Sequence, residues 1–308
     1  MARVVLVHGV GQQFKGPETL GLELRAALLD GVAAGVKAGA PAGVTLDDAD
    51  DIACAFYGGA FVEPGTRSGG LPPWNEYDVE DGLEAELLDA WFRRVVEIDD
   101  QVDAGDEAGT RGVVGYAASR PLLSRWVRAR LNGLAQARFF QPVTERALIA
   151  DLKQVRRYLD EPPVWQAARA AVAAEVGPET RVIVAHSLGS VVAYEALCEN
   201  PRWPVTDLVT VGSPLGLPII HRRLSPLPVE GRGAWPGGVA RWTNVSDPGD
   251  VVALVGELGA WFETGPGGDG VDDRTINNGM QMHDFVRYLT APKTGSAVAA
   301  GLVEDGRA

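Results

Sequence analysis

The sequence predicts an α/β protein: a mostly parallel, doubly wound sheet with flanking helices, interrupted by a helical cap insertion. Three observations predict it. Short apolar, β-branched runs recur along the chain, as in VVLV at residues 4–7, VIVA at 182–185 and DLVTV at 207–211. They carry no polar alternation, which is the signature of strands buried on both faces. Each ends in small or turn-forming residues and alternates with segments of helical spacing, as parallel strands joined by crossover helices require.

The elements follow in order. The first strand, in ARVVLVHG, leads into the glycine-rich turn Gly9-Val10-Gly11 and then a helix over residues 17–36. A second strand is predicted over residues 51–57, where IACAFYG runs into Gly58-Gly59. The next strong strand begins only near Arg181. The intervening segment starts with a Gly/Pro-rich loop over residues 58–75 and then turns helical. Residues 83–98 place Leu83, Leu87, Leu88, Trp91, Phe92 and Val95 on one face, and further helices are predicted over 121–140, 143–159 and 164–176. Residues 1–58 and 181–308 therefore form the α/β core, and residues 59–180 a mostly helical insertion. After it, strands are predicted at 207–211 and at RWTNV, residues 241–245.

Composition narrows the function. The formal net charge of −13 argues against nucleic acid and against docking on anionic membranes by charge. No run approaches the roughly 18 apolar residues of a membrane span, and the apolar run at the N-terminus is too short for a signal core. The expectation is a cytoplasmic protein with no integral membrane segment. Its two cysteines, Cys54 and Cys198, stand in separate apolar segments and read as reduced core thiols. No zinc or phosphate-loop motif is present, so no metal or cofactor is expected.

The stretch RVIVAHSLGSVVAYEAL, residues 181–197, carries the chemistry. A strand passes almost directly into a helix, and the tight turn between them exposes Ser187 at the strand's carboxyl end. A serine hydroxyl becomes a nucleophile only when a base takes its proton and an acid fixes that base's tautomer. Four histidines are available. His8 lies in the first turn, His186 points away from its neighbour by alternation, and His221 precedes any suitable acid. His283, in NNGMQMHDFVRYL, is left as the base. The turn after RWTNV offers Asp247 and Asp250 as the acid. Asp250, followed by Val251-Val252-Ala253, is preferred to Asp247, which precedes a proline, without excluding it.

On these residues the sequence resembles the α/β-hydrolases, and particularly the lipases and esterases among them. The matching segments are LVHGVG at 6–11, AHSLG at 185–189, SDPGDVVA at 246–253 and the late His283, in the family's order of nucleophile, acid, base. Ala185 replaces the first glycine of the usual G-x-S-x-G, a small residue for a small one. The resemblance implies an α/β-hydrolase fold, a Ser187–His283–Asp250 triad and an oxyanion hole made by the backbone N–H groups of Leu188 and Val10. It also implies cleavage of a carboxylic ester in a small-molecule or lipid-like acyl substrate. The same triad serves amidases, peptidases and thioesterases, and a non-catalytic binding protein on this fold is the alternative of a different class. The insertion would overhang the strand ends and select the substrate. Within it, the arginine-rich helix 120–138 reads either as a headgroup-binding surface or as a solvated helix face.

Overall fold

A computed structural model of the chain describes residues 2–43, 46, 48–62, 70–100, 102, 120–140 and 143–303. In chain order the elements are β1 (Val4–Val7), α1 (Pro17–Lys37), α2 (Asp48–Asp51), β2 (Ile52–Ala55), α3 (Leu83–Ile98), α4 (Arg120–Gln136), α5 (Glu145–Asp160) and α6 (Pro162–Glu175). They continue with β3 (Val182–His186), α7 (Leu188–Glu199), β4 (Asp207–Val211), α8 (Pro218–His221), β5 (Arg241–Ser246), β6 (Asp272–Thr275), α9 (Phe285–Thr290) and α10 (Pro292–Leu302).

The strands form one six-stranded sheet in the order β2-β1-β3-β4-β5-β6, parallel at every pairing. The predicted parallel α/β architecture is therefore present. β1, β3 and β4 are buried along their whole length, as their near-continuous apolar runs require. Val4, Leu6, Val182, Val184, Val209, Val211 and Val245 share one face. They form a single core with Leu24 and Leu28 of α1, Tyr288 and Leu289 of α9, and Val298 and Leu302 of α10. On the sheet, α7 packs against β3 and β1. The chain passes from β1 outward to β2 and then returns to the other side of β1 with β3. The order of the sheet thus reverses between β1 and β3, and the carboxyl ends of strands at such a reversal are the usual place for a ligand in sheets of this kind.

The chain divides into two compact units, one made of Met1–Phe61 and Pro163–Ala308, the other of Val62–Pro162. The expected insertion is thus a separate unit, but it ends near residue 162 rather than 180. The correction has a physical cause. Val164, Ala168 and Val172 of α6 are buried, and Arg169 donates to Glu195 on α7 at 2.6 Å, so α6 belongs with the sheet. Four elements absent from the sequence reading, α2, α8, β6 and α10, belong to the sheet unit. The predicted loop over 58–75 and the predicted continuity of helix through the insertion fall partly on residues 63–69 and 103–119, outside the described residues.

In the second unit α3 packs on α4 and α5. Glu84, fully buried on α3, meets Arg156 at 2.9 Å and Lys153 at 3.3 Å. Burial works to lower the Arg156 pKa, but Glu84, with Glu80 and Glu161, outweighs it and raises it. Two of the four arginines of α4, and a third just beyond it, are similarly engaged within the unit. Arg130 is buried against Asp89 and lies over the Phe92 ring, Arg128 pairs with Glu76, and Arg138, just beyond α4, pairs with Asp99. Of the two readings of this helix, the exposed Arg128 and Arg138 agree with a solvated face that balances acidic residues, whereas Arg130 is buried rather than solvated.

Candidate active site

β3 ends at His186 and α7 begins at Leu188, so the connection is the single residue Ser187. Its backbone adopts φ 52° and ψ −131°, a left-handed conformation that costs a non-glycine residue about 1–3 kcal/mol. The conformation is over-determined by what surrounds it. The Ser187 N–H donates to the Val211 carbonyl, and its own carbonyl accepts from the Ser190 N–H and hydroxyl. Ser190 in turn meets Ser213 at 2.7 Å, tying the elbow to the end of β4.

The turn after β1 lies directly against this elbow. A Cβ on Gly189 would stand 2.3 Å from the His8 carbonyl oxygen and 2.6 Å from that of Val7, both backbone atoms. A Cβ on Gly9 would stand 2.7 Å from the Ser187 Cβ. Neither contact can be relieved by turning a side chain alone. Gly189→Ala is therefore expected to lower stability by more than about 3 kcal/mol, an overpacking penalty against fixed backbone. Urea unfolding measures it; a loss below about 1 kcal/mol would mean that the turn and the elbow are not in contact.

The three residues selected from sequence meet here. The Ser187 Oγ lies 2.9 Å from His283 Nε2, and His283 Nδ1 lies 2.7 Å from Asp250 Oδ2. A carboxylate only accepts, so Nδ1 carries the proton and Nε2 is left as acceptor for the serine hydroxyl. Asp250 has no solvent exposure, and its remaining lone pairs are occupied. Oδ1 accepts the N–H groups of Val252 and Ala253, and Oδ2 also accepts the Tyr288 hydroxyl at 2.8 Å. Asp247 does a different job. Its carboxylate accepts the N–H groups of Gly249 and Asn278, joining the acid turn to the loop that carries His283. The alternative left open by the sequence is thus resolved geometrically, with Asp250 as the partner of His283.

The other histidines have places of their own. His8 Nδ1 donates to the Gly9 carbonyl at 2.7 Å, while Nε2 accepts the Tyr57 N–H at 3.1 Å and the ring stacks on Tyr57. A trans peptide is planar, so fixing the Gly9 carbonyl also fixes the opposite direction of the Val10 N–H. Leu188 opens α7, and its N–H is among the first four of a helix that have no acceptor within it. His221 faces the carbonyls of Leu215 and Gly231.

His186 is turned from Ser187 as expected, but it is not remote from the site. Its ring lies beside His283, with centroids 4.5 Å apart, and stacks on Phe285 at 4.7 Å. Burial, and secondarily the nearby His283, push its pKa well below the usual histidine range, so it forms a neutral support for the His283 ring. Tyr288 is the site residue that sequence reasoning missed. The available signal was a tyrosine on the buried side of α9, spaced i, i+3, i+4 with Phe285 and Leu289, because a buried phenol needs a hydrogen-bond partner.

Burial of His8 has a consequence for stability, since it lowers the imidazole pKa to about 4. Below about 6.5 the unfolded chain binds a proton that the folded chain refuses until about 4, so this contribution is complete above pH 6.5 and lost on acidification. From pH 7 to pH 5 the expected loss from His8 alone is about 2 kcal/mol, and His186 shifts in the same direction. Urea denaturation at the two pH values measures it; equal stabilities would contradict the neutral, buried state of these rings.

Among the described residues no group of three or more His, Cys, Asp or Glu side chains is placed to hold a metal ion, and no helix is long and apolar enough to cross a membrane. The fold and site together define a hydrogen-bonded Ser–His–Asp relay at the carboxyl edge of a parallel α/β sheet. No protein-family model matches the chain, and comparisons with curated proteins and with solved structures found no significant match.

Proposed function

We propose that this protein is a serine hydrolase of the α/β-hydrolase type, cleaving a carboxylic ester in a small-molecule or lipid-like acyl substrate through an acyl-enzyme. The observation that carries the reading is the continuous relay from Ser187 through His283 to a fully buried Asp250, at 2.9 Å and 2.7 Å. Supporting it, the nucleophile candidate occupies a strained one-residue elbow at the point where the sheet order reverses.

In the proposed reaction, Ser187 Oγ attacks the ester carbonyl as His283 Nε2 takes the hydroxyl proton. Asp250 holds the ring and stabilises the imidazolium. The N–H groups of Leu188 and Val10 receive the developing oxyanion, each contributing about 2.7–4 kcal/mol in sites of this kind. The alcohol leaves with the proton from His283, and water, activated by the same nitrogen, then releases the acid. His8 and Tyr57 support the oxyanion turn from behind by holding its carbonyls.

Turnover of a series of p-nitrophenyl esters by the full chain and by Ser187→Ala tests the reading. Hydrolysis that disappears with the Ser187 hydroxyl is expected; hydrolysis that survives in Ser187→Ala would overturn it.

A further inference from the structure

We infer that Tyr288 is a positioning residue that tunes the base strength of the His283–Asp250 pair by competing for the one carboxylate oxygen that His283 uses. The inference rests on the triad reading above and adds a residue which that reading does not require. The hydrogen-bond inventory carries it. Asp250 Oδ2 receives two donors, His283 Nδ1 at 2.7 Å and the Tyr288 hydroxyl at 2.8 Å, while Oδ1 is held by two backbone N–H groups. Because Oδ1 is anchored to the chain, the carboxylate cannot turn to offer each donor its own oxygen. The negative charge that His283 meets is therefore diminished by whatever the phenol withdraws.

Tyr288 is itself fixed. Its oxygen accepts the Asp247 N–H at 3.0 Å, its residue is fully buried on α9, and its ring lies near His186. Burial and the adjacent Asp250 push its phenol pKa upward, so it remains a neutral donor throughout the working range. The titratable groups around His283 are Ser187 at the elbow, His186 at the end of β3, Asp250 in the turn after β5 and, through Asp250, Tyr288 of α9. Asp247 faces Tyr288, and His186 is neutral by burial. Tyr288 is thus the neutral group whose donor strength can be altered without adding a charge to the site.

Two substitutions move the pair in opposite directions. Tyr288→Phe removes the competing donor, leaving the whole charge of Oδ2 to His283. The His283 Nδ1 proton resonance should move downfield and the acidic limb of kcat/KM should rise by about 0.5–1 pH unit, with KM little changed. Replacing Tyr288 by a ring-fluorinated tyrosine keeps the shape and the Asp247 contact but strengthens the donor. The proton should then move upfield and the acidic limb to lower pH. The fluorinated chain keeps the test available if Tyr288→Phe fails to fold. Resonance and limb unmoved in the fluorinated protein, or moved in the same direction as in Tyr288→Phe, would overturn the inference. The resonance is read on the resting protein. A chain that shifts as expected yet shows no turnover would therefore count against the hydrolase reading alone.

Discussion

Asp250→Asn is expected to lower kcat on ester substrates by about four orders of magnitude while leaving the protein folded. The reason lies in the proton on His283. The carboxylate accepts from Nδ1 at 2.7 Å and so keeps Nε2 unprotonated, able to accept from Ser187 at 2.9 Å. The amide introduced by the substitution can keep its oxygen on the N–H groups of Val252 and Ala253 and place its NH2 where Oδ2 stood, facing the Tyr288 oxygen and His283, which then accepts at Nδ1 and carries its proton on Nε2. The base becomes a donor, facing a serine whose proton it was to take. Asp247→Asn provides the contrast. Asp247 joins two loops through backbone N–H groups, so its loss should cost about 1–3 kcal/mol of stability and leave most of the chemistry in place. Steady-state kinetics with parallel urea titrations separates the two. Equal losses of kcat in both variants would remove Asp250 from its assigned place.

Ser187→Gly and Ser187→Ala should both abolish turnover but differ in stability. Each removes the hydroxyl. Alanine retains a side chain at φ 52°, whereas glycine occupies that conformation without a steric cost. After allowing for the greater freedom of glycine in the unfolded chain, Ser187→Gly should be more stable than Ser187→Ala by about 1 kcal/mol. The measurement is the difference in unfolding free energy between the two variants. Alanine equal to or more stable than glycine would mean that the elbow stores no strain, and the case for a conformation maintained for chemistry would lose its energetic basis.

The sequence made the buried parts of the fold legible and the exposed parts less so. β1, β3 and β4 announced themselves because strands covered on both faces read as near-continuous apolar runs. β6 did not, because DDRT at the sheet edge contains no apolar residue. It is held by pairing with β5, with Asp273 accepting from Asn244 and from the N–H groups of Leu258 and Gly259. The helix α10, PKTGSAVAAGL, was hidden for the opposite reason: buried around most of its circumference, it shows no polar stripe to define a period. The boundary of the insertion was misplaced because α6 looks like its neighbours in sequence and is assigned to the sheet by Arg169 and Glu195, a pair 26 residues apart.

Within the site, Ser187, Asp250 and His283 were reachable because each is tied to a local signal, two tight turns and a process of elimination among four histidines. For Tyr288 and His186 local pattern gave only a buried phenol and a direction away from Ser187, not their contacts with Asp250 and His283. Their positions depend on α9 returning beneath the end of β3, which no local pattern encodes.

The most direct measurement of the central claim is reaction of the protein with a fluorophosphonate, followed by peptide mass spectrometry to locate the adduct. The account predicts one phosphonyl group on Ser187, lost in Ser187→Ala and strongly slowed in His283→Ala. No adduct, or an adduct on another residue with Ser187 unmodified, would contradict it.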